Sequence, residues 1–367
     1  MSLQVLIAED SSLFVEALTK TLDAEPGVNI AAIANNGVDA VEYCESHQPD
    51  IVLMDIHMPR LDGLSATEKI MARCPTPILV VTSDPHRGGV DQSFRALSAG
   101  ALDLMAKPDR LPFSDDDRER LLRKLRLLSQ IPVVRHVRAR QRDREESNSK
   151  PQTAPHQTSH QPTGDQPTGD PMAVVGIVAS TGGPQALANI CTELPSDFPA
   201  ALLVVQHITD GFSRHLARWL DKHSALDVLE AEDGAGVEPG QVLIAPTRRH
   251  LVVDQGLTLG VRDGPPIGGH RPSGDRLLMS MARHASPQAI GLILSGMGDD
   301  GAAGLTALSQ SGCPTIAQNE ATSVVYGMPR VASARGVVDH SLADTEIASA
   351  LTHLVDQVSS STSGESR

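Results

Sequence analysis

Short apolar runs alternate with amphipathic stretches in both halves of this chain, and that alternation restricts the fold more than any other feature. In the first half the runs are LQVLIA, VNIAAIA, DIVLMD, PILVVTS and ALDLMAK, separated by segments such as SSLFVEALTKTLDA and SATEKIMARC. In the second half AVVGIVA, ALLVVQH, GQVLIAP and AIGLILSG alternate with PQALANICTEL, SRHLARWLDKH, DRLLMSMARHA and GAAGLTALSQSG. Unbroken apolar runs of this length read as strands buried on both faces, and the segments between them repeat at helical spacing. Strand–helix alternation builds a parallel sheet covered by helices on both faces. The expectation is therefore two doubly wound α/β domains, the second larger than the first.

Between the halves lies RHVRARQRDREESNSKPQTAPHQTSHQPTGDQPTGDP, charged at first and then rich in Pro, Gln, Thr and Ser. It has too few apolar residues to offset the entropy of ordering. The sequence thus divides into domains at 1–128 and 172–356, a flexible linker at 129–171 and a disordered tail at 357–367. A formal net charge of −14 argues against a nucleic-acid-binding protein. No apolar run approaches the roughly 18 residues that span a bilayer, so no membrane insertion is expected. MSLQVLIAED lacks a basic stretch before its apolar run and reads as a first strand rather than a signal peptide, which points to the cytoplasm. Cys44, Cys74, Cys191 and Cys313 form no C-x-x-C pair and read as four reduced thiols. Aromatic residues make up only 2% of the chain, so aliphatic side chains must build the cores.

The ends of the first-half runs carry chemistry. Run one ends in Glu9 and Asp10, run three in Asp55, run four in Thr82, and run five in Lys107 before Pro108. In a parallel sheet the carboxyl ends of the strands share the edge where ligands bind. Three carboxylates gathered there repel one another unless a cation sits among them, and hard oxygen ligands favour Mg²⁺. A lysine balances charge, and a hydroxyl can follow a phosphoryl oxygen. His57 reads as a loop residue of no special chemistry. This pattern, with DIHMPRLDGL around and after Asp55, resembles the receiver domain of bacterial response regulators. The resemblance implies a flavodoxin-like fold and a histidine kinase as phosphodonor to Asp55. It implies Mg²⁺ held by Glu9, Asp10 and Asp55, and sensing of the phosphoryl group by Thr82 and Lys107. Leu104 departs from it, standing where many receivers carry an aromatic switch residue.

In the second half, AVVGIVASTGGPQALANI poses a choice. A glycine turn opening a helix can cradle a phosphate, but Gly176, Gly182 and Gly183 lack the G-x-G-x-x-G spacing. No GK[ST] follows the strand either. The turn's amides can still bind an anion. Alternatively Ser180, at a strand end, is a nucleophile, with Pro184 at the first helical position and free amides to stabilise an oxyanion. A serine nucleophile needs a base, and the base an orienting acid. His207 ends the next run, and Asp299 and Asp300 follow AIGLILSGMG. A parallel sheet brings these ends to one edge. His250 and His270 read as surface or packing histidines, and Ser273 as a rival serine beside which no strand plainly ends.

The order Ser, His, Asp, with VASTG at the serine, differs from the Ser, Asp, His order and G-x-S-x-G of α/β-hydrolases. The motifs ASTGGPQAL, VVQH, IAP…HL, HRPSGDRL, SGMGDDGA and AQNEATSVVYGMPR instead resemble those of chemotaxis response regulator protein-glutamate methylesterases. That resemblance implies a Rossmann-like domain with Ser180 as nucleophile, His207 as base and Asp300, rather than Asp299, as orienting acid. It also puts Thr181 and Met297 at the oxyanion site or pocket, with no cofactor for ester hydrolysis. The implied substrates are glutamate methyl esters, and certain glutamines, of methyl-accepting chemoreceptors. The unphosphorylated receiver would cover the site. Thr247 and His215 depart from the usual pattern, at loops outside the triad motifs.

Overall fold

A computed structural model describes residues 2–82, 90–108, 110–133 and 172–363. The first sheet contains β1 (Leu3–Ala8), β2 (Val28–Ala34), β3 (Ile51–Asp55), β4 (Ile78–Thr82) and β5 (Asp103–Ala106), in the order β2-β1-β3-β4-β5. All its pairs are parallel. Helices α1 (Ser12–Asp23), α2 (Gly37–His47), α3 (Gly63–Arg73), α4 (Val90–Ser98) and α5 (Asp115–Leu128) connect and cover it. Their starts are written locally. Ser11, Asn36, Asp62 and Ser114 each accept a backbone N–H of the first turn that the helix itself leaves without a partner. In α1, Phe14, Leu18 and Leu22 fall on one face and are buried, while β3 and β4 are buried at every position.

The second sheet has seven parallel strands in the order β14-β13-β12-β6-β7-β9-β8. In chain order the elements are β6 (Ala173–Ala179), α6 (Gly183–Glu193), β7 (Ala200–Gln206), α7 (Ser213–Asp221), β8 (Asp227–Glu230) and β9 (Gln241–Ile244). An antiparallel hairpin, β10 (His250–Asp254) and β11 (Thr258–Arg262), interrupts the alternation. Then come α8 (Gly274–His284), β12 (Ala289–Ile293), α9 (Ala302–Gln310), β13 (Thr315–Gln318), α10 (Met328–Ala334), β14 (His340–Leu342) and α11 (Asp344–Ser363). Both sheets are doubly wound, as the alternation of runs requires. No helix among the described residues is long and apolar enough to cross a membrane.

Near the centre of each sheet lies a place where the winding reverses. In the first it lies between β1 and β3, and in the second between β6 and β12. There the connections leave in opposite directions and open a crevice beyond the carboxyl ends of the strands. Glu9, Asp10 and Asp55 flank the first crevice, and Ser180 and Asp300 the second.

The linker lies outside the described residues from 134 to 171. The tail departs from expectation, because α11 continues to Ser363, past the 357 boundary. Val358 is buried, and Ser360 Oγ donates to the Asp356 carbonyl oxygen, so the serine-rich end is satisfied as helix.

The two layered units pack together. Phe94 of α4 is fully buried, stacked on Trp219 of α7 at 5.4 Å between centroids and edge-on to Phe212 at 6.5 Å. Glycine sets a second close approach, where α3 begins against the end of β3. A Cβ at Gly63 would lie 1.9 Å from the Asp55 carbonyl oxygen. Because the obstacle is backbone, Gly63→Ala is expected to destabilise the fold by about 1–3 kcal/mol, read by urea unfolding.

Candidate active site

Ser180 follows β6 directly and sits on a turn fixed from three sides. Its N–H donates to the Ser295 carbonyl at 3.0 Å, and its own carbonyl accepts from Gly183 N–H at 2.9 Å and Gln206 Nε2 at 2.7 Å. Gly182 adopts φ +81°, and a Cβ there would lie 2.6 Å from Val324 Cβ and 2.8 Å from Ser295 Oγ. Only glycine meets both demands. Gly296 clears the other side, since its Cβ would fall 2.8 Å from Ser180 Cβ. Ser295 Oγ donates to the Thr181 carbonyl at 2.7 Å and accepts from Val325 N–H at 2.9 Å, which ties the turn to the end of β12. The Thr181 and Met297 N–H groups have no partner among the described residues, so either can meet an oxyanion.

His207 follows β7, the neighbour of β6. Its Nε2 lies 2.8 Å from Asp300 Oδ2, and its buried Nδ1 has no partner among the described residues. Asp299 is exposed, while Asp300 is 4% exposed and saturated with donors. Ser273 Oγ and Asp275 N–H donate to its Oδ1 at 2.8 and 3.1 Å, and Gly274 N–H to its Oδ2 at 2.6 Å. These donors are the first turn of α8 and its cap, so the carboxylate also faces a helix N-terminus. Burial pushes the Asp300 carboxyl up, but the His207 hydrogen bond and charge, with the Gly274 and Asp275 amides, outweigh it and hold the group at about 2.

Three residues set aside in the sequence belong to this site. Ser273, the rival serine, caps α8 and orients Asp300. His250 is fully buried. Its Nδ1 accepts from Ser273 N–H at 3.2 Å, and its Nε2 donates to the Pro265 carbonyl at 3.0 Å. Burial keeps it below the usual imidazole range, which suits this neutral tautomer. His270 stacks on the His207 ring. The signal for Ser273 was legible as a capping serine before the periodic run DRLLMSMARHA. His250 and His270 had no such signal. Thr247 and His215 act locally: Thr247 Oγ1 accepts from Gly211 N–H, and His215 Nδ1 contacts the Gly211 carbonyl.

The first sheet holds a separate constellation. Glu9, Asp10 and Asp55 each bring a carboxylate oxygen within 4.8 Å of the others. Lys107 Nζ lies 2.6 Å from Glu9 and 3.2 Å from Asp55. Burial raises the Glu9 and Asp55 carboxyls, Asp55 adds to the rise at Glu9, and Lys107 opposes it at both. One ammonium does not neutralise the cluster, and the all-oxygen donor set fits a hard divalent cation. Thr82 is buried at the end of β4, and its carbonyl accepts from Lys107 N–H at 2.7 Å. Leu104 is a buried strand residue, and His57 is exposed on its loop.

The two sites are joined through Thr181, whose hydroxyl donates to Asp103 Oδ2 at 2.7 Å across the interface. Lys124 of α5 pairs with the same Asp103 oxygen. The Thr181 side chain is thus engaged by the first unit, while its N–H has no partner among the described residues.

The position of Asp300 sets a pH dependence. A carboxyl held at about 2 against an ordinary 3.8 stabilises the fold fully above the ordinary value, and the gain is lost as pH falls through about 2. Its size is of order 2 kcal/mol. Asp300→Asn is expected to lower the unfolding free energy at neutral pH, and the gap to wild type should close between about pH 4 and pH 2 in urea titrations.

A family model described as CheB methylesterase matches residues 175–351, and one described as response regulator receiver domain matches residues 5–112. The chain is 44% identical over 352 residues to protein-glutamate methylesterase/protein-glutamine glutaminase 2 of Anaeromyxobacter dehalogenans, covering 96% of this chain and 97% of that one. It is 42% identical over 352 residues to protein-glutamate methylesterase/protein-glutamine glutaminase 4 of Myxococcus xanthus, covering 95% and 96%. Among solved structures, the Thermotoga maritima CheB methylesterase catalytic domain matches 50% of this chain and 98% of its own, at 39% identity and a TM-score of 0.49. With relatives of this identity along nearly its whole length, the chain belongs to the protein-glutamate methylesterase/protein-glutamine glutaminase family, carrying a receiver domain ahead of a CheB methylesterase domain.

Proposed function

We propose that this protein is a phosphorylation-controlled serine esterase acting on methylated glutamates of chemoreceptors. The observation that carries this reading is the His207–Asp300 hydrogen bond, with Nδ1 left open on the strand next to Ser180. Because Asp300 occupies Nε2, Nδ1 is the nitrogen left to act as base. It takes the Ser180 proton as Oγ bonds to the γ-carbonyl carbon of a glutamate methyl ester. The Thr181 and Met297 N–H groups receive the oxyanion. The C–O bond to the methoxy group breaks, Nδ1 returns the proton, and methanol leaves. Water then attacks the acyl carbon, gives a proton to Nδ1, and releases the glutamate carboxylate as Ser180 is reprotonated. A glutamine side chain follows the same path with ammonia as the leaving group. The steps need no cofactor.

Control comes from the receiver. An Asp55 carboxylate oxygen attacks the phosphorus of a kinase phosphohistidine, forming an O–P bond as the P–N bond breaks. Glu9, Asp10 and Asp55 would hold Mg²⁺, which balances phosphoryl charge when bound. Lys107 and Thr82 sense the new group. The added charge, roughly 1.5 to 2 units, must rearrange a cluster already tied up by a single lysine. Its way out runs through β5 and α4, which carry Asp103 and Phe94 to the Ser180 turn and to Trp219. With Leu104 in place of an aromatic, Phe94 is the aromatic that links the receiver to the catalytic domain. The seating of Asp103 beside Thr181 supports the unphosphorylated form as the restrained one.

Methanol release from methylated receptor membranes tests the chemistry. Ser180→Ala is expected to lose activity by about 10⁴-fold or more, and Asp55→Asn to keep a basal rate that phosphodonor does not raise. An active Ser180→Ala enzyme refutes the mechanism. Control has its own reporter, because Trp219 is the only tryptophan. A small-molecule phosphodonor is expected to change its emission in wild type and leave it unchanged in Asp55→Asn. Constant emission in both would mean that Phe94 does not leave its seat.

A further inference from the structure

His207 makes one contact that the steps above do not use. Its ring lies face to face with the ring of His270, with centroids 4.1 Å apart and planes 13° from parallel. The covalent bond to Cβ and the hydrogen bond to Asp300 hold two points of the imidazole and leave the ring able to rotate about the line joining them. That rotation carries Nδ1 toward or away from Ser180. Attack geometry tolerates little of it, since a displacement of about 1 Å can cost 10²-fold in rate.

We infer that His270 is a positioning residue for the hydrolysis: its stacked ring sets the tilt of the His207 imidazole and so aims Nδ1 at the Ser180 hydroxyl. The inference rests on the reading of Ser180, His207 and Asp300 given above.

The loop carrying His270 is built to hold a ring in place. Ile267 N–H donates to the His270 carbonyl at 3.0 Å, and His270 N–H to the Ile267 carbonyl at 2.9 Å. Between them Gly268 and Gly269 have φ +57° and +85°, the two left-handed residues that a tight primed turn demands. Arg271 Nη1 donates to the Gly264 carbonyl at 2.9 Å and braces the base of the loop. Ser273, three residues on, is pinned by His250 and Asp300. Residues 265–269 are exposed, whereas His270 is half-buried, so the loop reaches inward through this side chain.

The chemistry asks for an uncharged ring. When His207 takes the serine proton it becomes a cation. A neutral aromatic face accommodates a cation, whereas a second imidazolium at this distance repels it. Burial, and His207 itself, hold His270 below the usual imidazole range against the pull of Asp300 and Asp299, and Arg123 of α5 adds to the lowering.

The test uses the full chain with phosphodonor and methylated receptor membranes. It compares wild type, Ser180→Ala, His270→Ala, His270→Phe and His270→Lys. His270→Ala is expected to lower kcat about 10- to 100-fold with KM within about twofold. His270→Phe restores a flat uncharged ring and should recover kcat to within about threefold of wild type. His270→Lys, which places a fixed charge beside the imidazolium, should fall below His270→Phe by about 10-fold or more. Activity in Ser180→Ala would overturn the underlying mechanism. With Ser180→Ala inactive, a wild-type kcat in His270→Ala would overturn the role of His270 alone. So would equal kcat values for the Phe and Lys variants, and that comparison holds even if the alanine variant does not fold.

Discussion

A carboxylate that is almost fully out of water must be met by donors, and the catalytic domain is arranged around meeting this need at Asp300. Its partners come from three places: the His207 imidazole, the Ser273 hydroxyl, and the first amides of α8. The relation is reciprocal. Asp275, in the first turn of α8, accepts from Gly304 N–H at 2.8 Å in α9, the helix that Asp300 leads into. Two helix starts thus exchange acidic side chains, each supplying the negative charge the other favours. Breaking one half leaves bare amides at a buried helix end and a carboxylate short of donors. The hold on the His207 imidazole comes from this exchange, and His250 extends it one layer further by fixing the Ser273 backbone.

The receiver is attached to that framework by a few well-chosen contacts. The chain contains only five Phe, two Tyr and one Trp. Three of these eight rings meet where α4 packs on α7. Aliphatic residues dominate the two cores, and these three rings supply flat, oriented surface at the seam. Beside them, Asp103 takes a hydrogen bond from Thr181 and the charge of Lys124 at a single oxygen. A carboxylate shared in this way is sensitive to small movements of β5, the strand that ends next to Lys107. The distance from the Glu9, Asp10 and Asp55 cluster to the second unit is therefore covered by one strand and one helix of the receiver.

Much of this was legible in the sequence, for a physical reason. The strands that form the two crevices, β1, β3, β6, β7 and β12, are central ones buried on both faces, so they appear as unbroken apolar runs. Their carboxyl ends fall at Glu9, Asp10, Asp55, Ser180, His207 and, a short loop on, Asp300. What the sequence hid is what depends on tertiary neighbours. The edge strand β14 has three residues and two are exposed, so no pattern betrays it. The β10–β11 hairpin belongs to no sheet wound by helices and breaks the alternation by which the rest was read. His250 and His270 look like any polar residue in a loop, and their importance lies in which rings and amides they meet. The tail misled because serines count against order in composition but can bond back to the preceding turn of a helix.

The strand order has a consequence for the chain as it is made. β6 and β7 emerge early and pair with each other, yet Asp300 lies 93 residues beyond His207. Ser295, which ties down the Ser180 turn, comes from the same late segment. Pairing of β12 with β6 joins distant parts of the chain and is slow to form. A ribosome-bound or truncated polypeptide therefore carries a serine and a histidine on adjacent strands with neither in working order. The constellation of Ser180, His207 and Asp300 is complete only with the last third of the molecule, so a half-synthesised copy lacks it until its own fold is closed.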